Sequence, residues 1–147
     1  MRKIKYIFID PDCPNNDGKS RRRALPNFGY HFIVTKEGLV LHPTNIDIPA
    51  NLIQGPIYDR DKYNKCSISI YYCGSLLPHV WLVEQNANCS AILRQRAALL
   101  QLLVDLRKHF PDAKILGVSE LDGKELYAKN IIVNDSMNVL RKELSEL

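Results

Sequence analysis

Side chains that can do acid–base, nucleophilic or metal chemistry are thinly spread along this chain. The four histidines, His31, His42, His79 and His109, include no two at the four-residue spacing that sets a pair of imidazoles on one helix face around a metal ion. The four cysteines, Cys13, Cys66, Cys73 and Cys89, contain no C-x-x-C pair and are too few for a disulfide scaffold, so reduced and mostly buried thiols are expected. Asp10 and Asp12 could in principle offer two carboxylates for acid–base cleavage of a glycosidic bond. With Pro11 between them, capping of a turn is the simpler use, and no catalysis is assigned to the pair. The one dense run of charge, Lys19-Ser20-Arg21-Arg22-Arg23, carries no interleaved aromatic residue on which a base could stack. It reads as a solvated loop, and nucleic acid is not an expected partner.

The elements that must position these residues follow from hydrophobic period and punctuation. Lys3 to Ile9 alternates and then runs Tyr-Ile-Phe-Ile, a buried first strand with Asp10 at its C-terminal end. Pro11 to Asn27 is rich in proline and asparagine and predicts an irregular loop. Phe28 to Thr35 predicts a second strand, turned by Lys36-Glu37-Gly38 into Leu39 to His42 as a β-hairpin. After a long excursion from Pro43 to Cys66, Ser67 to Cys73 alternates with period two and predicts a central strand. Ser90 is a plausible N-cap for a helix whose Leu99, Leu103, Leu106 and Phe110 form one apolar stripe, stopped by Pro111. Lys114 to Val118 predicts a short strand, and Ser136 to Leu147 a final helix presenting Met137, Val139, Leu140 and Leu144 to a core. Strands interleaved with helices predict a single α/β domain spanning residues 1–147, with a mixed central sheet flanked by helices.

Composition narrows the classes further. At 147 residues the chain is the size of one domain, and 46% hydrophobic against 24% charged residues is the balance of a packed globular protein. No apolar run approaches the ~18 residues that span a bilayer. The basic start, Met1-Arg2-Lys3, precedes too short an apolar stretch for a signal peptide, so a cytoplasmic location is the expectation.

Four stretches, in order, resemble the N-acetylmuramoyl-L-alanine amidase family, which also includes the peptidoglycan recognition proteins and the phage lysozyme-type amidases. Lys3 to Ile9 is similar to that family's first strand, and Gly29-Tyr30-His31-Phe32-Ile33-Val34 with Glu37-Gly38-Leu39-Val40 to its GYHF hairpin. Asn64-Lys65-Cys66-Ser67-Ile68-Ser69-Ile70 is similar to its N-x-x-S-I-G-I strand, and Phe110 to Gly117 to the strand leading to its second zinc ligand. The resemblance implies the amidase fold and, in active members, zinc-dependent cleavage of the amide bond between N-acetylmuramic acid and the first L-alanine of the stem peptide.

The resemblance also assigns three ligand positions, and here they hold Asp10, Val118 and Ile131. A catalytic zinc takes three protein ligands and one open position. Valine and isoleucine have no lone pairs, so only Asp10 of the three can coordinate, and zinc is expected to be absent. A register shifted by two would bring Glu120 toward Asp10, giving two oxygens suited to weak binding of a hard cation rather than zinc. The family histidine that precedes the N-x-x-S stretch falls around Asp59 here. Two helpers are retained as vestiges: Tyr30 matches the hairpin tyrosine, and Lys129 matches the lysine that supports the oxyanion in lysozyme-type members. For each the plainer use is structural, a core aromatic with a satisfied hydroxyl and a solvated loop lysine. His31 is expected to fill a polar niche beside the sheet.

The expectation is a catalytically inactive amidase-fold protein that uses the old groove, lined by Asp10, Tyr30, Asp59, Asn64, Glu120 and Lys129, for a peptidoglycan fragment or a protein partner. Two other readings stand beside it: an active amidase with a relocated site built from Asp10, Asp59 and Glu120, and a purely protein-binding regulatory module.

Overall fold

The computed structural model describes residues 2–11, 30–49, 63–74, 89–118 and 131–147. Over these the chain forms five strands, β1 (Tyr6–Pro11), β2 (Phe32–Val34), β3 (Val40–Leu41), β4 (Ser67–Tyr72) and β5 (Lys114–Gly117), and two helices, α1 (Cys89–His109) and α2 (Ile131–Ser145). The strands make one mixed sheet in the order β3-β2-β4-β1-β5. Only the β2–β3 pair is antiparallel; β4 pairs in parallel with β2 and β1, and β1 with β5. The α/β class expected from the alternation of periods is therefore observed.

Register decides which residues share a face. Side chains alternate along a strand, so Ile7 and Ile9 stand beside Ile68 and Ile70 on one face, while Phe8 stands beside Ser69 and Leu116 on the other. The aliphatic face packs against both helices in one core that contains Ile7, Ile9, Ile68, Ile70, Leu99, Leu103, Met137 and Leu140, all fully buried. The opposite face carries two smaller clusters, Phe8 with Val118, and Tyr30 with Ile33, Tyr71 and Cys73. Period two in β4 predicts a half-buried strand, yet all six of its residues are buried. The alternation there puts Ile68, Ile70 and Tyr72 on the helix side and Ser67, Ser69 and Tyr71 on the other, and does not separate inside from outside.

Several boundaries differ from the sequence-based expectation. β1 runs to Pro11, so Asp10 lies inside the strand, and regular pairing in β2 begins only at Phe32. α2 starts at Ile131, five residues before the predicted start, and its β-branched, Asn and Asp first turns have the weak helix propensity that hides this start in the sequence. Ile131, expected in a loop, is thus the first residue of a helix. Val139 is 38% exposed, unlike Met137, Leu140 and Leu144. Its position two residues after Met137 turns it about 200° away from the core stripe.

The hairpin turn shows how tightly the small elements are set. Gly38 has φ of +84°, and a Cβ placed there would come 3.1 Å from the Arg94 backbone carbonyl in α1. A Gly38→Ala variant therefore meets both a left-handed backbone penalty and a helix backbone that cannot move aside. The expected loss is about 1–3 kcal/mol of unfolding free energy, read as a lower urea midpoint with unchanged slope.

Candidate functional site

In open α/β sheets, ligands gather at the carboxyl ends of parallel strands. Here those ends belong to β4, β1 and β5, and the residues reaching them on the face away from the helices are Tyr71, Asp10 and Val118. Asp10 pairs in register with Tyr71. Ile9 pairs with Gly117, so the next residue of each strand end brings Val118 alongside Asp10.

Each of these side chains has a definite neighbour. The Tyr30 hydroxyl donates to Asp10 Oδ2. The Tyr30 ring is 2% exposed and lies 5.4 Å, centroid to centroid, from the Tyr71 ring. Tyr30 is therefore a packed aromatic whose hydroxyl is satisfied by a carboxylate. Val118 is 8% exposed and packs on Phe8, with Tyr6, Tyr63 and Leu116 around it. Phe8 in turn stacks on Tyr6 at 5.4 Å and meets Tyr63 edge-on at 6.0 Å. The result is one acceptor carboxylate held by a phenol, bordered by an aromatic and aliphatic floor.

Of the residues expected to line a groove, the structure brings Asp10 and Tyr30 together. Asn64 lies at the other end of the sheet, ahead of the first residue of β4, where it is 7% exposed and its carbonyl accepts a hydrogen bond from Arg2 Nη1 at 3.2 Å. Asp59, Glu120 and Lys129 lie outside the described residues, as do Asp12 and the run from Lys19 to Arg23. Asp10 and Val118, the two sheet positions that the resemblance assigns to zinc ligands, stand side by side, but one is a carboxylate already bonded to Tyr30 and the other a hydrocarbon. Those donors do not fit a tetrahedral zinc. Among the described residues no three His, Cys, Asp or Glu side chains are grouped to hold a metal ion.

A second polar constellation, centred on His31, sits toward the other end of the same sheet. His31 is fully buried. Its Nδ1 accepts the Ser69 backbone N–H at 3.0 Å, which fixes the proton on Nε2, and Nε2–H donates to the Ile48 carbonyl at 2.7 Å. Burial, foremost, pulls the imidazole pKa below its ordinary value, helped by the Arg2 and His42 charges and opposed by the Ile48 carbonyl. The polar niche expected for His31 is thus observed, with the ring neutral at neutral pH. Arg2 is the residue that sequence reasoning passed over. Its guanidinium donates to the carbonyls of Ile46, Asn64, Lys65 and Ser67, which joins the chain start to two segments more than forty residues away. Nothing in its sequence neighbourhood separates it from Lys3 or Lys5.

Among the described residues no helix is long and apolar enough to cross a membrane. Comparisons with protein-family models, with curated proteins and with solved structures found no match to this chain.

Proposed function

We propose that the chain is an amidase-fold protein whose hydrolytic centre has been lost, and that the strand-end surface around Asp10 binds a peptidoglycan fragment without cleaving it. The observation that supports this reading is the juxtaposition of Asp10 and Val118. The resemblance assigns two zinc ligands to those positions, and they do fall on adjacent strand ends, one carrying an acceptor carboxylate and the other a buried aliphatic. Fold and site are separable, so a scaffold can persist after its chemistry has gone. What remains is suited to recognition: Asp10, partly exposed, can accept hydrogen bonds from amide or hydroxyl groups, and the buried Tyr30 and Tyr71 rings form a packed floor that holds it in place.

The test uses purified protein and a muramoyl-peptide of defined sequence, with and without added zinc. We expect saturable binding by calorimetry and no free peptide by chromatography. We also expect Asp10→Ala to weaken binding about tenfold, as loss of one hydrogen bond to a charged group would. Stoichiometric zinc in the purified protein together with released peptide would overturn the reading in favour of an active amidase. Absence of binding to any muramoyl-peptide would remove the ligand from the proposal.

A further inference from the structure

The His31 constellation has no part in the strand-end site, and its geometry is that of a fastening that works in one protonation state only. The segment of residues 42–49 after β3 is mostly exposed, with the Ile48 side chain 54% accessible. Its polar attachments to the rest of the protein go through two carbonyls, where Ile48 accepts from His31 Nε2 and Ile46 accepts from Arg2 Nε at 2.9 Å and from Arg2 Nη2, beside the apolar contacts of the partly buried Ile46 side chain with the core and of the His42 ring with Phe32. Two further hydrogen bonds, Ile48 N–H to the Asn45 carbonyl and Asp47 N–H to Asn45 Oδ1, are internal to its own turn.

We propose that His31 is an acid-released latch: the neutral ring holds residues 42–49 against the sheet, and protonation of the ring frees that segment while β1 and β4 stay paired. Three features make the closed arrangement intolerant of a second ring proton. Nδ1 points at the Ser69 N–H, so a proton there sets donor against donor, and the nearby Ser69 Oγ at 3.2 Å can take the new N–H only by leaving the Ser69 amide without its acceptor. Arg2 Nη2 lies 3.2 Å from Nε2, two donors in contact, which an uncharged ring tolerates and an imidazolium resists. The site has no exposure through which water could screen the added charge. The charged and titratable groups facing the site are Arg2 from the chain start, His42 from the end of β3, whose ring stacks on Phe32 at 4.3 Å, and Asp47, whose charge acts on Arg2 from the segment itself. Two of the three carry or can acquire positive charge. The exposed segment is the cheapest part to give way, because β1 and β4 pair over six residues with buried isoleucines on both strands.

The sign of the pH dependence follows. The closed ring has a lowered pKa, and the opened, solvated ring returns to its ordinary 6.5. The latch is at full strength above that value and weakens as pH falls below it, since only the open form then binds the proton. Between about pH 7.5 and pH 5 the opening equilibrium should rise, by at most roughly 30-fold, the limit set by proton uptake of the open ring alone.

Amide hydrogen exchange on the full chain, corrected for intrinsic rates, tests this directly. The Ile48 amide should lose protection at pH 5 relative to pH 7.5, several-fold and at most about 30-fold, while the Ile70 amide in β4 keeps its own. Ring ¹⁵N shifts should report the Nε2–H tautomer at pH 7.5. His42→Gln should preserve the response and His31→Gln should abolish it; where His31→Gln fails to fold, the exchange and ring-shift measurements on the unaltered protein decide alone. Unchanged Ile48 protection at pH 5, or loss of Ile48 and Ile70 protection together, would overturn the latch.

Discussion

Phe8→Ala should lower the unfolding free energy by about 3–5 kcal/mol, a large fraction of the ~5–15 kcal/mol that holds a domain of this size together. Phe8 is fully buried in the middle of the central β1 strand, and it is the residue on which Val118, Tyr6 and Tyr63 all converge. Its removal deletes a large apolar side chain and leaves a hole lined by other rings, which cannot collapse without moving β1 or β5. The helix-side core would be untouched, so secondary structure by far-ultraviolet circular dichroism should persist until melting. The melting temperature should drop by roughly 10 °C. A loss under 1 kcal/mol would show that the aromatic cluster is not a rigid floor and would weaken any account of the strand-end surface as preorganised.

The second large effect is expected at Arg2. Its guanidinium makes bonds to four backbone carbonyls drawn from two segments, Ile46 and residues 64–67, at 3.1 Å to Lys65 and Ser67 and 2.9 Å to Ile46 among them. Hydrogen bonds to a charged donor contribute about 1.5–3 kcal/mol each at best, and they do not add when the acceptors can turn to water. Arg2 is only partly buried, so a net loss of about 2–3 kcal/mol is expected for Arg2→Met, seen as a lower urea midpoint at unchanged slope. Arg2→Lys should recover less than half of it, because an ammonium cannot reproduce a planar fork that reaches Ile46 with one edge and Ser67 with another. Full recovery by lysine would mean that charge alone, not the fork, joins these segments. Arg2→Met also removes a like charge beside His31, so its stability profile below pH 6.5 should be flatter than that of the unaltered protein.

Much of the secondary structure is legible locally. The stripe Leu99, Leu103, Leu106 and Phe110 announces α1, and three of the four are buried while Phe110 packs at the core margin. Pro111 and the Lys36-Glu37-Gly38 turn mark ends that the structure keeps. The start of α2 was not legible, because Ile131-Ile132-Val133-Asn134-Asp135 has the composition of a strand or loop. The candidate site divides in the same way. That Asp10 should stand near position 118 came from a resemblance, whereas the Asp10 contact with Tyr30 depends on β2 pairing with β4, which carries Tyr30 to the sheet beside β4.

The sequence by itself determined element type, the approximate order of strands and helices along the chain, and the inability of Val118 and Ile131 to bind a metal. These follow from side-chain chemistry and from periods of two and 3.6 residues, which are properties of a few consecutive positions. Only the tertiary structure decided that both faces of β4 are buried, that Asp10 is held by Tyr30, and that Arg2 ties residues 46 and 64–67 to the chain start. Such contacts depend on strand register, and register is set by the packing of segments that are distant in sequence, where no local pattern carries the information.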